Sequence, residues 1–258
     1  MAILASLLPR SWADFLSDAL FKLVLMGLAF AAASLLLRDA LVIGAHVPLA
    51  PNEGWNAYLA KAAIGGAPLY PQSASLMINN YPPLSFYIVG ALSHVTGDAI
   101  VAGRLLSLIS FFALCGLLVV ILRDMGADVL AALFASLFFA TGLLAASRYV
   151  AMNDPQLLGH ALQLSGLSLL LPPRRSPLAA ALLMSAGLFV KHSLLALPLA
   201  AGLWLAGEER RDAARFAAAL LLFCLAGLAG ARLVIGVNLV AALASPRHLA
   251  AANLVAAM

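Results

Sequence analysis

The chain has 258 residues, of which 64% are hydrophobic and 10% charged, with a formal net charge of +4. A water-soluble domain carries about 25% charged residues, so this composition, with a mean hydropathy of +1.02, excludes an ordinary soluble enzyme. The basic residues are scattered or gathered in short loops, not in a stripe. That excludes a nucleic-acid footprint and suits the cytoplasmic loops of a membrane protein.

In chain order, residues 1–18 are mixed in character and read as a helix on the cytoplasmic surface, carrying Trp12 and Phe15. Asp14 and Asp18 ahead of the first apolar run argue against a cleavable signal. Residues 19–37 make a first apolar run of spanning length, bracketed by Lys22 and by Arg38-Asp39. Residues 51–83 then form the one long polar interval, PNEGWNAYLAKAAIGGAPLYPQSASLMINNYPP. Pro51-Asn52 before and Gly65-Gly66 after mark a short helix within it. At about 100° per residue, Trp55, Tyr58, Leu59 and Ala62 share one side. Glu53, Asn56, Ala57 and Lys61 share the other, expected to look into a cavity above the membrane.

Residues 84–95 are apolar but short for a crossing, which fits a re-entrant or interfacial helix. The later runs, 100–122, 129–146, 155–171, 178–190, 193–206 and 213–235, bring the expected spans to about seven. The expected fold is an all-α polytopic membrane helix bundle. It is a single transmembrane domain over residues 1–258, with residues 38–98 as a first outer loop containing interfacial helices. With the N-terminus inside, Arg123, Arg174-Arg175 and Arg210-Arg211-Arg215 fall on the cytoplasmic side, as the positive-inside rule asks. Glu53, Asn79-Asn80, residues 148–154, Lys191-His192 and Arg247-His248 then share the outer face. Cys115 and Cys224 lie inside apolar runs and read as small core residues.

Four polar clusters could carry chemistry. Glu53 opens the loop helix; it is either a carboxylate favoured by the helix dipole or a base held near a hydroxyl. Asn79-Asn80-Tyr81-Pro82-Pro83-Leu84 is either a helix start fixed by its prolines or a site wall in which Asn80 and Tyr81 bond and stack. In Arg148-Tyr149-Val150-Ala151-Met152-Asn153-Asp154-Pro155, Asp154 reads as a helix cap, and Arg148 can meet a phosphate or pair with it. Lys191-His192, between two short apolar runs, is either a turn or a cation awaiting a lipid phosphate. No H-x-x-E or C-x-x-C spacing assigns a metal to any histidine or cysteine, and a divalent metal is left open.

Together, Asn52-Glu53 after the first span, Tyr81-Pro82-Pro83-Leu84, Arg148…Asn153-Asp154-Pro155 and Phe189-Val190-Lys191-His192 resemble the multi-pass C-type-fold glycosyltransferases. The likeness is nearest to family 39 and the aminoarabinose-transferase-like branch, including protein O-mannosyltransferases, and covers roughly residues 20–210. The resemblance implies inverting transfer of a sugar from a polyprenyl-phosphate carrier to a lipid, glycan or protein acceptor, at the outer face of the cytoplasmic (inner) membrane. By position, Glu53 is the base, and Asn52 stands where the family usually has Asp. Asp154 supports the site, Arg148 and Lys191 contact the donor phosphate, and Asn56, Asn80, Tyr81, Asn153 and His192 line it. Family members usually run longer, so the chain corresponds to their N-terminal portion. Two rival expectations are a non-catalytic or truncated membrane subunit and a transporter, the latter calling for paired broken helices with charge at mid-membrane.

Overall fold

The computed structural model describes residues 12–70, 79–146 and 148–244. Ten α-helices are described: α1 Trp12–Ala40, α2 Pro51–Gly65, α3 Leu84–Thr96, α4 Ala99–Asp124, α5 Val129–Ala146, α6 Gln156–Leu170, α7 Pro177–Val190, α8 Ala196–Glu208, α9 Arg210–Ile235 and α10 Leu239–Leu243. A single 3-10 turn, Tyr149–Ala151, precedes α6, and no strand occurs among the described residues.

The helix ends follow local chemistry. Gly66 closes α2 at φ 76° and Gly97 closes α3 at φ 74°, a left-handed turn that glycine enters at little cost. Asp98 follows at once and caps α4, its Oδ1 accepting from the Ile100 and Val101 amides at 2.7 and 3.1 Å. The α3–α4 corner is therefore written in three residues, Gly97-Asp98-Ala99.

Packing is the inverse of a soluble bundle. Inside are small or modest side chains: Ala32, Ala140 and Ala161 with Phe111 and Leu144 between α1, α4, α5 and α6, and Ala180, Ala181, Met184 and Ala201 with Phe216 among α6 to α9. Outside are large apolar ones, including Leu23 and Phe30 on α1 and Leu221, Leu225 and Leu233 on α9. Lipid gives helices no hydrophobic reason to associate, so small residues that permit close approach take the interfaces. A methyl group on Gly187 would sit 3.2 Å from the Gly159 carbonyl oxygen, so α6 and α7 approach closely along their backbones there.

Among the described residues, four helices are long and apolar enough to cross a membrane: Phe15–Ala40 within α1, α4, α5 and α9. The helices at the other three expected spans, α6, α7 and α8, have 15, 14 and 13 residues. At 1.5 Å per residue they reach about 20–23 Å, short of a ~30 Å hydrocarbon core. The expected surface helix also differs: residues 12–18 continue into α1 without a break, and residues before Trp12 lie outside the described set. At one end of the bundle α2, the start of α4 and residues 148–154 come together. At the other, Arg174 pairs with Asp124, and Arg175 lies 3.9 Å from Glu208.

Candidate functional site

The polar end is built on Arg104, in the second turn of α4 and fully buried. Its guanidinium meets Glu53 two-fold, Nε to Oε1 at 2.7 Å and Nη2 to Oε2 at 2.8 Å. The remaining N–H groups donate to the carbonyls of Val42 (2.7 Å), Ala45 (2.6 Å) and Val47 (2.9 Å). All five donors of the fork are used. Glu53 is equally engaged, since Oε2 also accepts from the Leu49 amide at 2.7 Å and Oε1 from the Asn153 amide at 3.0 Å. One ion pair thus ties together α4, the 42–49 loop, the start of α2 and the segment before α6.

The Asn153 segment is locked from a second side. Asn56 Nδ2 donates to the Asn153 carbonyl at 2.7 Å, and Asn153 Nδ2 to the Ala99 carbonyl at 3.2 Å. Asn153 lies so close to α4 that a Cβ on Gly103 would sit 1.9 Å from its Oδ1. Ser107 Oγ donates to the Met152 carbonyl at 2.6 Å.

This corrects two expectations. Glu53 retains no open lone pair with which to take a proton. Burial alone would raise its pKa, but the Arg104 bonds and the two amides outweigh it and hold the carboxyl below its ordinary range. Nor does the whole polar side of α2 look into one cavity: Glu53 borders a cavity, Asn56 is buried against the Asn153 segment, and Lys61 is exposed.

A cavity of about 250 Å³ lies beside the tie, lined by Arg38, Asp39, Val42, Leu49, Ala50, Glu53, Arg148, Ala151 and Met152. Its distinctive group is Asp39. Oδ1 pairs with Arg38 Nη2 at 2.8 Å, whereas Oδ2 is buried without a hydrogen-bond partner. Arg38 also donates to the Leu144 carbonyl at 3.0 Å, which leaves its outward side exposed. Arg148, an exposed residue, lines the same cavity. A carboxylate oxygen without a partner beside two guanidinium groups suits a ligand carrying both a hydroxyl and an anion.

A second polar cluster forms where α3, α6 and α7 meet. Lys191 Nζ donates to Gln156 Oε1 and lies 5.7 Å from the Tyr81 ring centre. Gln156 also touches His160, and its amide is capped by Asp154 Oδ1 at 2.9 Å. Burial pushes the Asp154 carboxyl up, against the Gln156 amide and the Lys191 charge. His192 Nδ1 is buried without a partner.

Of the residues singled out by sequence, Glu53, Asn56 and Asn153 meet in one network, but as ties. Arg148 reaches the Asp39 cavity. Asp154, Tyr81, Lys191 and His192 belong to the other cluster, so Arg148 and Lys191 do not share one cavity wall as expected. Asn52 is exposed on α2 and lines neither site, and Asn80 is half-buried next to Asn79, whose Oδ1 accepts from the Tyr81 amide at 3.0 Å. Arg247 and His248 lie outside the described residues. Among the described residues, no group of three or more His, Cys, Asp or Glu could hold a metal ion. Sequence reasoning missed Arg104 and Asp39. A cation inside an apolar run, read as needing a partner, was the available signal for the first. Comparison with known families, curated proteins and solved structures finds no match.

Proposed function

We propose that the chain is a membrane glycosyltransferase that moves a sugar from a polyprenyl-phosphate carrier to an acceptor hydroxyl, with the reaction in the Asp39 cavity. Asp39 Oδ2 takes the proton of the acceptor hydroxyl as its oxygen bonds to the anomeric carbon. The bond from that carbon to the carrier phosphate breaks, and Arg148 and Arg38 hold the departing phosphate. The Arg104–Glu53 tie fixes the two walls but touches no reacting atom. In this reading the N-terminus lies inside, as the loop arginines favour, and the cavity at the C-terminal end of α1 opens on the outer face of the inner membrane.

The observation that carries the reading is the unpartnered, buried Oδ2 of Asp39 in a cavity bordered by Arg38 and Arg148. The motif resemblance adds the lipid-linked donor and the direction of transfer. The test is Asp39→Asn in vesicles supplied with a radiolabelled polyprenyl-phosphate sugar. Turnover is expected to fall by about 10²-fold or more, with the protein still folded and inserted. Unchanged turnover would remove Asp39 from the reaction, and no turnover by the unaltered chain would end the transferase reading itself.

A further inference from the structure

Helices α6, α7 and α8 run between two charged bands. At one band Asp154 caps the start of α6, and Lys191, directly after the end of α7, places its charge beside that carboxylate. At the other, Arg174 pairs with Asp124, and Arg175 lies 3.9 Å from Glu208, the last residue of α8. The three helices cover this interval in 15, 14 and 13 residues, about 20–23 Å at 1.5 Å per residue.

Long cationic side chains at the ends of a short span ordinarily stretch outward to the headgroups, which lengthens the span. Here that escape is closed. Lys191 Nζ donates to Gln156 Oε1, on the first residue of α6. Arg174 Nε donates to the Ser168 carbonyl at 2.9 Å, in the last turn of the same helix. Both cations are held on α6, at residues only about 18 Å apart along its axis. Between the bands the outer surface is apolar, with Leu178 and Leu182 exposed on α7 and Leu199 and Leu203 on α8. Elsewhere in the bundle α5 offers 18 residues, about 27 Å, with Phe138 exposed along it. The bundle thus has a tall wall and a low one.

We infer that α6, α7 and α8 cross the membrane, and that the bilayer against them is thinned, so that this wall selects short-chain phospholipids as its neighbours. An apolar belt closed by charge above and below has the profile of a bilayer, and the height of the belt sets which bilayer fits. A ~30 Å hydrocarbon core must lose about 7–10 Å here, or the tied charges would lie in hydrocarbon. This surface requires only that the chain is embedded in a membrane, and it stands whether or not the Asp39 cavity transfers sugar.

The test reads lipid contact wall by wall, on the full chain in phosphatidylcholine bilayers. Dioleoyl phosphatidylcholine brominated at its double bonds quenches any tryptophan it touches. Unbrominated dimyristoleoyl or dierucoyl phosphatidylcholine, with shorter and longer chains, competes for the same contact. The α8 signal is the fluorescence lost in Trp204→Phe, with Leu199→Trp as a second reporter on the exposed face. The α5 signal is the fluorescence gained in Phe138→Trp. At α8 the dimyristoleoyl lipid should displace the quencher at least about twofold better than the dierucoyl lipid, and at α5 the preferred chain should be longer. A non-permeant maleimide should label Ser193→Cys and Glu209→Cys, at the two ends of α8, from opposite sides of sealed vesicles, above the background of the unaltered chain. The inference is overturned if α8 prefers the same chain length as α5 or a longer one. It is equally overturned if both cysteines label from one side, which would make α7 and α8 a hairpin that enters and leaves a single face. If Trp204→Phe unfolds the protein, Leu199→Trp decides.

Discussion

Two buried carboxylates at the same end of the bundle, both lining one cavity, have opposite circumstances. Glu53 has four donors on its two oxygens; Asp39 has one oxygen paired and one bare. Both are at most 5% exposed. Burial and charge therefore do not tell a saturated acid from one that can still bind a ligand; the count of unmet lone pairs does. A saturated ion pair is tied down by every group that surrounds it, whereas a bare oxygen has something left to give a ligand.

The largest expected effect breaks the saturated member. In Arg104→Met, Glu53 keeps its charge in a dry site without its cation, and three loop carbonyls lose their donors. Breaking a buried pair from one side costs about 3–5 kcal/mol. Little folded protein is expected on size-exclusion chromatography. The double variant Arg104→Met with Glu53→Leu leaves no stranded charge and should recover part of the loss. If the single variant is as stable as the unaltered chain, Glu53 is not tied as described. The contrast with Asp39→Asn sharpens the comparison: the first should harm folding, the second turnover.

A smaller effect follows from pH. The folded-state pKa of Glu53 is held below its ordinary value. Its contribution to stability is complete above the unfolded carboxylate value, about 4.3. It is lost as pH falls through the lower folded value. The unfolding midpoint in detergent should hold from neutral pH to about pH 4 and drop below it. Glu53→Gln, which cannot titrate, should start lower and lack that share of the drop. An identical acid limb in both proteins would assign the drop to other carboxylates.

Much of this was legible in the sequence. The α5 boundaries and the loop helix closed by Gly65-Gly66 follow from apolar run length and from glycine. The face of α2 was not legible, because polar residues on a helix are read as facing water. Next to a membrane the rule reverses: backbone and side-chain polar groups must find partners within the protein, and Glu53 and Asn56 do so. Arg104 and Asp39 escaped for a related reason. Each is one charged residue within or beside an apolar run, and its partner is 51 positions away or, for Asp39 Oδ2, not in the described protein at all. Periodicity carries no information about such pairings.

The smallest expected effect tests whether the idea of unmet valence holds away from charge. Ser85 Oγ is buried without a partner and borders a cavity of about 10 Å³ shared with Asn56, Asn153 and Asp154. A hydroxyl taken out of water without a bond costs stability, so Ser85→Ala should leave the unfolding midpoint unchanged or raise it, by up to about 1 kcal/mol. Asp39 Oδ2 borders a cavity that two arginines line, whereas the small cavity beside Ser85 has no charged donor in its lining. A clear fall in the Ser85→Ala midpoint would mean that a bridging water fills the small cavity.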